Sequence, residues 1–159
     1  MAFHICCFTG HRHIPAEVVP ELTAILDRRL AAMCEAGFTE FRTGGAIGFD
    51  TLVAQRVIAT REVYPGARLH LILPCRDQSE RWSKKERKTY DHLLSLADQV
   101  TYVQDSYSPG CMHVRNRALV EGSDLCLAYL TSSRGGTAYT CTYALKQHVR
   151  MINLANELS

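Results

Sequence analysis

Hydrophobic positions along the chain follow two patterns that alternate from one end to the other. Short apolar runs such as "FHICCF" at 3–8 and "RLHLIL" at 68–73 indicate buried strands. Between such runs, apolar residues recur at spacings of three and four, as from Val18 to Met33, which indicates helices with one buried face. Strands that alternate with helices predict crossover connections and a mainly parallel sheet covered on both faces.

The pattern predicts a single α/β domain over residues 1–159, with a Rossmann-like, doubly wound sheet. Strands are predicted at 3–8, 39–43, 68–73, 99–103, 124–130 and 150–154. Helices are predicted over about 18–33, from about 50 to the "YPG" at 64–66, over about 79–97, near 112–121, and from the glycines at 135–136 to about 148. Ligands bind such sheets at the carboxyl ends of the strands, where the strand order reverses, so functional residues are expected in strand-to-helix loops.

The composition is that of an ordinary globular protein. Of the 159 residues, 47% are hydrophobic and 21% are charged, and the formal net charge is +2. That charge is too small for the electrostatic footprint of a nucleic-acid-binding protein, so nucleic acid is not the expected partner. No apolar stretch is long enough to cross a bilayer and no signal-peptide pattern opens the sequence, so a cytoplasmic protein without a membrane partner is expected.

The seven cysteines contain no CxxC pair, and five of them lie in or beside apolar segments. They are expected to be small buried hydrophobic residues rather than a disulfide framework. Two spacings suggest a metal, His11 with His13 and Cys111 with His113, but neither pair is followed by a second pair at zinc-ligand spacing. We therefore expect neither a metal nor a cofactor.

Four predicted strand-to-helix loops carry residues suited to a ligand. They are "TGHR" at 9–12, "GGAIGFD" at 44–50, "MHVRN" at 112–116 and "RGGT" at 134–137. Glycines let a ligand approach the backbone, and a helix N-terminus offers unpaired N–H groups with a partial positive charge. Gly135, Gly136 and Thr137 best fit a phosphate cradle; the equal alternative is a tight turn in which Thr137 caps the helix.

The second loop matches neither a dinucleotide fingerprint nor a P-loop. Its glycines, Gly44, Gly45 and Gly48, follow the second strand instead of the first, and no Gly-Lys-Ser/Thr occurs in the chain. Asp50 would repel a phosphate, so at a ligand it is expected to accept a hydrogen bond from a ribose hydroxyl. Capping of the following helix is the alternative role for Asp50.

Basic side chains follow the first strand and accompany the fourth helix. Arg12 could pair with a phosphate, and His11 could donate a hydrogen bond or shuttle a proton. Arg115 and Asn116 are expected to begin a helix; an internal salt bridge is the alternative for Arg115, and a capping role is the alternative for Asn116. The basic run "RWSKKERK" at 81–88 is interpreted as a solvated helix face.

Taken together, these segments resemble one family. The segments "TGHR", "GGAIGFDTLVA", "LPCRDQSERWSKKERKTYDHLLSLAD", "RNRALVEGSDLCLAYL" and "GGTAYT" occur in the order found in the small bacterial proteins of the YpsA-like group. That group belongs to the SLOG superfamily, which is similar to the cytokinin-activating LOG phosphoribohydrolases and to the DprA DNA-processing proteins. The resemblance covers nearly the whole chain.

The resemblance implies a Rossmann-like fold and a pocket for a nucleotide-derived small molecule, with ADP-ribose-like compounds as the leading candidates. Because SLOG relatives often associate, it also makes a homo-oligomer one expected state. Carried over position by position, the implied ligand-binding residues are Thr9, Gly10, His11, Arg12, Gly44, Gly45, Ala46, Asp50, Arg115, Asn116, Gly135, Gly136 and Thr137.

One position departs from the LOG pattern. LOG hydrolases carry a glutamate one helix turn after the glycine loop, whereas this chain reads "GGTAYTCTYALKQ", with no acid until Glu157. Departure of a base leaves an oxocarbenium-like sugar that a carboxylate stabilises, so the missing acid argues against turnover. A sensor, carrier or sequestering protein is the first hypothesis, an N-glycosidase that uses Asp50 as its only candidate catalytic residue is the second, and a single-stranded-DNA binder is the third.

Overall fold

Strands and helices alternate along residues 4–159, the part of the chain that the computed structural model describes. The six strands are β1 (Ile5–Gly10), β2 (Glu40–Thr43), β3 (Arg68–Leu73), β4 (Gln99–Tyr102), β5 (Leu125–Tyr129) and β6 (Arg150–Asn153). The five α-helices are α1 (Val19–Glu35), α2 (Phe49–Arg61), α3 (Lys84–Leu96), α4 (Cys111–Val120) and α5 (Gly136–Lys146). A short 3₁₀-helix, Leu154–Glu157, follows β6 and was not predicted.

All six strands form one parallel sheet in the order β4-β3-β2-β1-β5-β6. The chain moves outward from β1 to β4 and then returns to place β5 on the other side of β1. The strand order therefore reverses between β1 and β5, which is where sheets of this kind bind ligands. The predicted α/β, Rossmann-like, doubly wound fold is confirmed.

Alternate residues of β1 face two separate apolar cores. Phe8 belongs to the larger core, together with Leu22 of α1 and Val53 of α2. Cys7 belongs to the smaller core, together with Leu119 of α4 and Ala144 of α5. The helices thus cover the sheet on both faces, which explains why β1, β3 and β5 carry consecutive apolar residues instead of a strict alternation.

The first strand ends later than its apolar run predicts. Thr9 and Gly10 pair in register with Ala128 and Tyr129, so β1 continues to Gly10. Thr9 and Gly10 are therefore strand residues and not, as predicted, part of the following loop. The predicted start of this strand, residue 3, lies outside the described residues.

The third helix begins five residues later than predicted, at Lys84 rather than at about residue 79. Ser83 and Glu86 form a capping box, in which each side chain accepts a hydrogen bond from the other residue's backbone N–H, at 3.1 and 2.9 Å. Trp82 precedes this helix and packs edge-on against Tyr90, with ring centroids 5.1 Å apart. A cap of this kind sets the helix start more strongly than apolar spacing does.

All seven cysteines are free thiols, and six of them are buried, with Cys34 half-buried. Cys6, Cys7 and Cys126 have no exposed surface. The interpretation of the cysteines as small buried hydrophobic residues is confirmed.

Residues 4–159 contain no helix that combines the length and the apolar character needed to cross a bilayer. The same residues contain no group of three or more His, Cys, Asp or Glu side chains placed to hold a metal ion.

Candidate functional site

A cavity of about 430 Å³ opens at the carboxyl ends of β1 and β5, where the strand order reverses. Its wall comes from the end of β1, the loop before α2, one face of α4 and the first turn of α5. The lining residues are Thr9, Gly10, His11, Arg12, Ala46, Asp50, Met112, His113, Arg115, Asn116, Leu119, Gly136 and Thr137. The cavity thus brings together the predicted site residues except Gly44, Gly45 and Gly135.

The glycines of the loop between β2 and α2 allow close packing and do not line the cavity. Gly45 and Gly48 have φ angles of +70° and +80°, which residues with a side chain rarely adopt. A Cβ atom at Gly48 would overlap the backbone of Arg12, and one at Gly44 would overlap the guanidinium of Arg115. The loop therefore packs against two basic residues of the cavity wall, Arg12 and Arg115, and fixes their positions.

His11 joins the loop after β1 to the loop after β5. Its Nε2 accepts a hydrogen bond from the backbone N–H of Thr131 at 2.9 Å, which places the ring proton on Nδ1. The ring lies edge-on to Tyr129, with centroids 5.8 Å apart. Burial lowers the pKa of His11, so the neutral ring is favoured, and no group within residues 4–159 accepts a hydrogen bond from its Nδ1–H.

Arg12 has an exposed cationic side chain at the cavity, whereas its backbone is held by packing and by hydrogen bonds of the neighbouring residues. The side chain is exposed at the cavity and makes no hydrogen bond or ion pair within residues 4–159. Its backbone packs against Gly48, and the N–H of Phe49 donates to the carbonyl of His11 at 3.1 Å. Arg12 is therefore free to pair with an anion without breaking an existing contact.

Asp50 is a carboxylate, 6% exposed, in the first turn of α2. It accepts a hydrogen bond from the backbone N–H of Ala46 at 3.2 Å, whereas the N-cap position of the helix is Gly48. Burial raises the pKa of Asp50, and the positive charge of Arg115 opposes part of that rise. Asp50 therefore stabilises the loop before α2 through its contact with Ala46 and does not cap the helix. Its negative charge is only partly compensated by the charge of Arg115.

Arg115 and Asn116 lie in the second turn of α4, which starts at Cys111, so neither residue begins or caps the helix as predicted. Arg115 donates through Nη1 to the carbonyl of Gly44 at 2.5 Å and through Nε to Oδ1 of Asn116 at 2.8 Å. These partners are neutral oxygens instead of the carboxylate of an internal salt bridge. Burial lowers the pKa of Arg115, and the charge of Asp50 opposes that change.

The N-terminus of α5 supplies backbone donors to the cavity. Its N-cap is Gly135, so Thr137 does not cap the helix. Gly135 has φ +95° and ψ −176°, a conformation open almost only to glycine. Gly136 and Thr137 follow with backbone N–H groups that have no partner inside the helix, and the Thr137 hydroxyl has no hydrogen-bond partner in the described part of the chain.

Three further residues line the cavity, namely Met112, His113 and Leu119. The first two lie in the candidate segment "MHVRN" but were not among the predicted ligand-binding residues, and Leu119 was not singled out at all. Met112 and Leu119 share a helix face with Asn116, at spacings of four and three residues, and His113 packs edge-on against Tyr139 with centroids 4.1 Å apart. The spacing was visible in the sequence. It became informative only once the fold placed this face of α4 over the carboxyl end of β1.

Positive charge prevails at the cavity. Two arginines, Arg12 and Arg115, line it, whereas Asp50 is its only carboxylate among residues 4–159. The helix α5 adds no acid between Gly136 and Lys146. The cavity is therefore suited to an anion that also carries at least one hydroxyl group for Asp50.

A family model described as the YspA SLOG family matches residues 6–155. The chain belongs to that family. The match includes every segment that lines the cavity, and it confirms the resemblance to the SLOG superfamily drawn from the motifs.

Two curated relatives span much of this SLOG chain. A UPF0398 protein of Bacillus pumilus (strain SAFR-032) is 31% identical over 118 residues, which are 73% of this chain and 63% of the relative. The SPbeta prophage-derived protein YoqJ of Bacillus subtilis (strain 168) is 25% identical over 146 residues, which are 82% of this chain and 85% of YoqJ. The chain therefore spans less than two thirds of the length of the Bacillus pumilus relative.

Solved structures share the fold. DprA from Streptococcus pneumoniae has a TM-score of 0.67 and 13% identity, over 94% of this chain and 49% of DprA. DprA from Helicobacter pylori, solved for its single-stranded-DNA binding mode, has a TM-score of 0.66 and 16% identity, over 98% of this chain and 71% of that one. The structure of TM1055 has a TM-score of 0.60 and 18% identity, over 94% and 72% of the two chains. At these identities the likeness concerns the fold alone.

Proposed function

We propose that this SLOG protein binds a nucleotide-derived small molecule of the ADP-ribose type in the cavity between β1 and β5, as a sensor, carrier or sequestering protein. The observation that carries the proposal is the set of polar groups in the cavity wall. Donors from Arg12, Asn116 and the start of α5 meet one buried carboxylate among residues 4–159, that of Asp50. A phosphorylated ribose offers the matching groups, because its phosphate accepts hydrogen bonds and its hydroxyls donate them.

The phosphate of such a ligand would lie at the N-terminus of α5. Backbone N–H groups at a helix N-terminus point outward and carry a partial positive charge, which favours an anion. Arg12 adds a full charge from the neighbouring loop, with no partner within residues 4–159 to give up. A charge-assisted contact of this kind contributes about 1.5–3 kcal/mol.

The ribose would lie against Asp50. This carboxylate is buried and raised in pKa, so a hydroxyl that donates to it relieves part of the desolvation cost. The cavity volume of about 430 Å³ lies inside the range of roughly 300–1,000 Å³ typical of small-molecule sites.

The missing acid on α5 supports the proposal of binding without turnover. Cleavage of an N-glycosidic bond builds positive charge on the sugar, and a nearby carboxylate must stabilise that charge and position water. Nothing between Gly136 and Lys146 supplies that carboxylate.

An N-glycosidase is the second candidate, and the position of Asp50 favours it. Buried carboxylates with a raised pKa that line a cavity are found often at catalytic sites. Release of free base and ribose phosphate from AMP, lost in Asp50→Asn, would support this candidate and overturn binding without turnover. Recovery of the intact nucleotide would exclude it.

Single-stranded DNA is the third candidate ligand, and the Helicobacter pylori DprA structure is the reason to test it. The net charge of +2 argues against a dominant phosphate-backbone contribution. Affinity for an oligonucleotide that falls steeply with salt would support DNA as the ligand. Affinity for AMP or ADP-ribose that changes little with salt would support the cavity proposal.

The deciding experiment is calorimetric titration with AMP and ADP-ribose, with chromatography of each mixture after incubation. We expect saturable binding, intact ligand, and an affinity about 10- to 100-fold lower for Arg12→Ala than for the unaltered protein. Arg28→Ala is the matched control, because Arg28 is an exposed residue of α1 outside the cavity wall. Equal affinity for both variants would remove Arg12 from the site, and no binding of either nucleotide would overturn the proposed function.

A further inference from the structure

We infer that Arg115 is a positioning residue that fixes the side-chain amide of Asn116 as a hydrogen-bond donor toward the N-terminus of α5, and that Asn116 recognises the anionic group bound there. The inference rests on the proposed function, since it assigns how the ligand's phosphate is recognised. It concerns two neighbouring residues of α4 that contact each other inside the cavity wall.

The orientation of the Asn116 amide follows from the chemistry of arginine. A guanidinium has donors and no acceptor, so only the Oδ1 end of the amide can face it. Nε of Arg115 donates to that Oδ1 at 2.8 Å. The Nδ2 end, with two N–H donors, must then face the opposite way.

The Nδ2 end of the Asn116 amide faces the start of α5. A Cβ atom built on Gly136 would lie 3.5 Å from Nδ2 of Asn116, so this amide group lies beside the first residue of the helix. Asn116 is 6% exposed, and its Nδ2 has no hydrogen-bond partner within residues 4–159. Nδ2 keeps contact with the solvent of the cavity, so an anion at the helix terminus can replace water as the acceptor of its N–H groups.

Three of the five N–H donors of Arg115 are directed at protein atoms instead of at the cavity. Its Nη1 and Nε are bonded to protein oxygens, and its Nη2 lies 3.8 Å from Sδ of Met112. These hydrogen bonds fix the backbone at Gly44 and the side-chain amide of Asn116. The anion at α5 is therefore met by neutral donors, namely Nδ2 of Asn116, the backbone N–H groups of the first turn and the hydroxyl of Thr137, with Arg12 as the mobile cation.

Asn116→Asp tests the role of Asn116 with almost no change in shape. The carboxylate keeps an oxygen for Arg115, so the fold should be preserved, which far-UV circular dichroism checks. It replaces the Nδ2 donor by a charged acceptor, so affinity for AMP should fall at least about tenfold, while affinity for adenosine, which lacks the phosphate, should stay unchanged. Equal affinity of both proteins for AMP would overturn the inference.

Arg115→Lys and Asn116→Ala test whether Arg115 acts through Asn116. Lysine keeps the charge and loses Nε, so the amide is no longer fixed. If Arg115 only positions Asn116, the double variant should bind AMP no more weakly than Asn116→Ala alone. Losses that add in the double variant would mean that Arg115 contacts the phosphate itself, and the positioning role would be wrong.

Failure of the inference can be told apart from failure of the proposed function. If the unaltered protein binds neither AMP nor ADP-ribose, the proposed function fails. The side-chain amide signal of Asn116 in a ¹⁵N NMR spectrum, titrated with inorganic phosphate, tests anion recognition independently of any nucleotide. We expect that signal to shift with phosphate and not with sodium chloride at equal ionic strength; an unmoved signal would overturn the inference.

Discussion

The guanidinium of Arg115 fills the space that a side chain at Gly44 would occupy, and it donates to the carbonyl of that glycine. The contact joins α4 to the loop after β2, which lie 71 residues apart along the chain. Because Arg115 also holds Asn116, a disturbance at Gly44 should reach the N-terminus of α5 without touching a ligand directly.

Gly44→Ala should destabilise the protein and weaken AMP binding together. The added methyl group forces Arg115 to move, and overpacking of a tight contact costs about 1–3 kcal/mol of unfolding free energy. Urea unfolding and calorimetry measure the two effects. Gly66→Ala is the matched control, because a Cβ atom there meets nothing within 4 Å. Equal stability of the two variants would contradict the packing role of Gly44.

Asp50→Asn should raise the melting temperature near neutral pH. The folded-state pKa of Asp50 is raised by burial, so ionisation of this group disfavours the fold as pH rises through that value. Asparagine removes the charge and keeps an acceptor for Ala46. Each kcal/mol gained adds about 2–4 °C to the melting temperature of a domain this size.

The gain from Asp50→Asn should shrink as pH falls, because Asp50 is then neutral in the folded protein as well. Melting curves of both proteins across the acid range check this dependence. A difference that stays constant with pH would mean that the charge of Asp50 is fully compensated by its neighbours.

Acid should release the loop after β5 from His11. Burial lowers the pKa of His11, so its stabilising contribution is present above the ordinary value of about 6.5 and is lost as pH falls through the lower, folded-state value. Protonated Nε2 can no longer accept from the N–H of Thr131. Hydrogen exchange at this amide, corrected for intrinsic rate, should therefore accelerate in acid, and His11→Ala should abolish that dependence.

Gly136→Val should weaken AMP binding and leave the fold intact. A Cβ atom at this position is in ordinary contact distance, 3.5 Å, from Asn116, so the larger valine side chain crowds the cavity rather than the core. Thr142→Val, on the exposed side of the same helix, is the control for introducing valine. Loss of far-UV circular dichroism in Gly136→Val alone would show that the glycine is required by the fold.

The architecture could be predicted from the sequence because parallel strands buried on both faces read as continuous apolar runs, as in "RLHLIL". The end of β1 could not be predicted, because Thr9 and Gly10 belong to the strand only through their pairing with β5. Local residue preferences carry no information about such a distant partner.

The loops that build the cavity could be predicted from their order after the strands, and Asp50, Arg12 and Asn116 lie together as a consequence. The role of an individual glycine could not be predicted from the sequence. Gly44 and Gly136 look alike in sequence, yet one packs against a buried arginine and the other lines the cavity. Only the side chains packed around a glycine distinguish these two uses.

The central position of β1 in the sheet has a consequence for linkage between binding and folding. Residues 9–50 supply one part of the cavity wall and residues 112–137 the other, so neither half of the sequence can form the site alone. A ligand therefore has no binding site on the unfolded chain and clamps two distant segments at once. At a concentration 100 times its dissociation constant it would add about 2.7 kcal/mol to the stability of the whole domain.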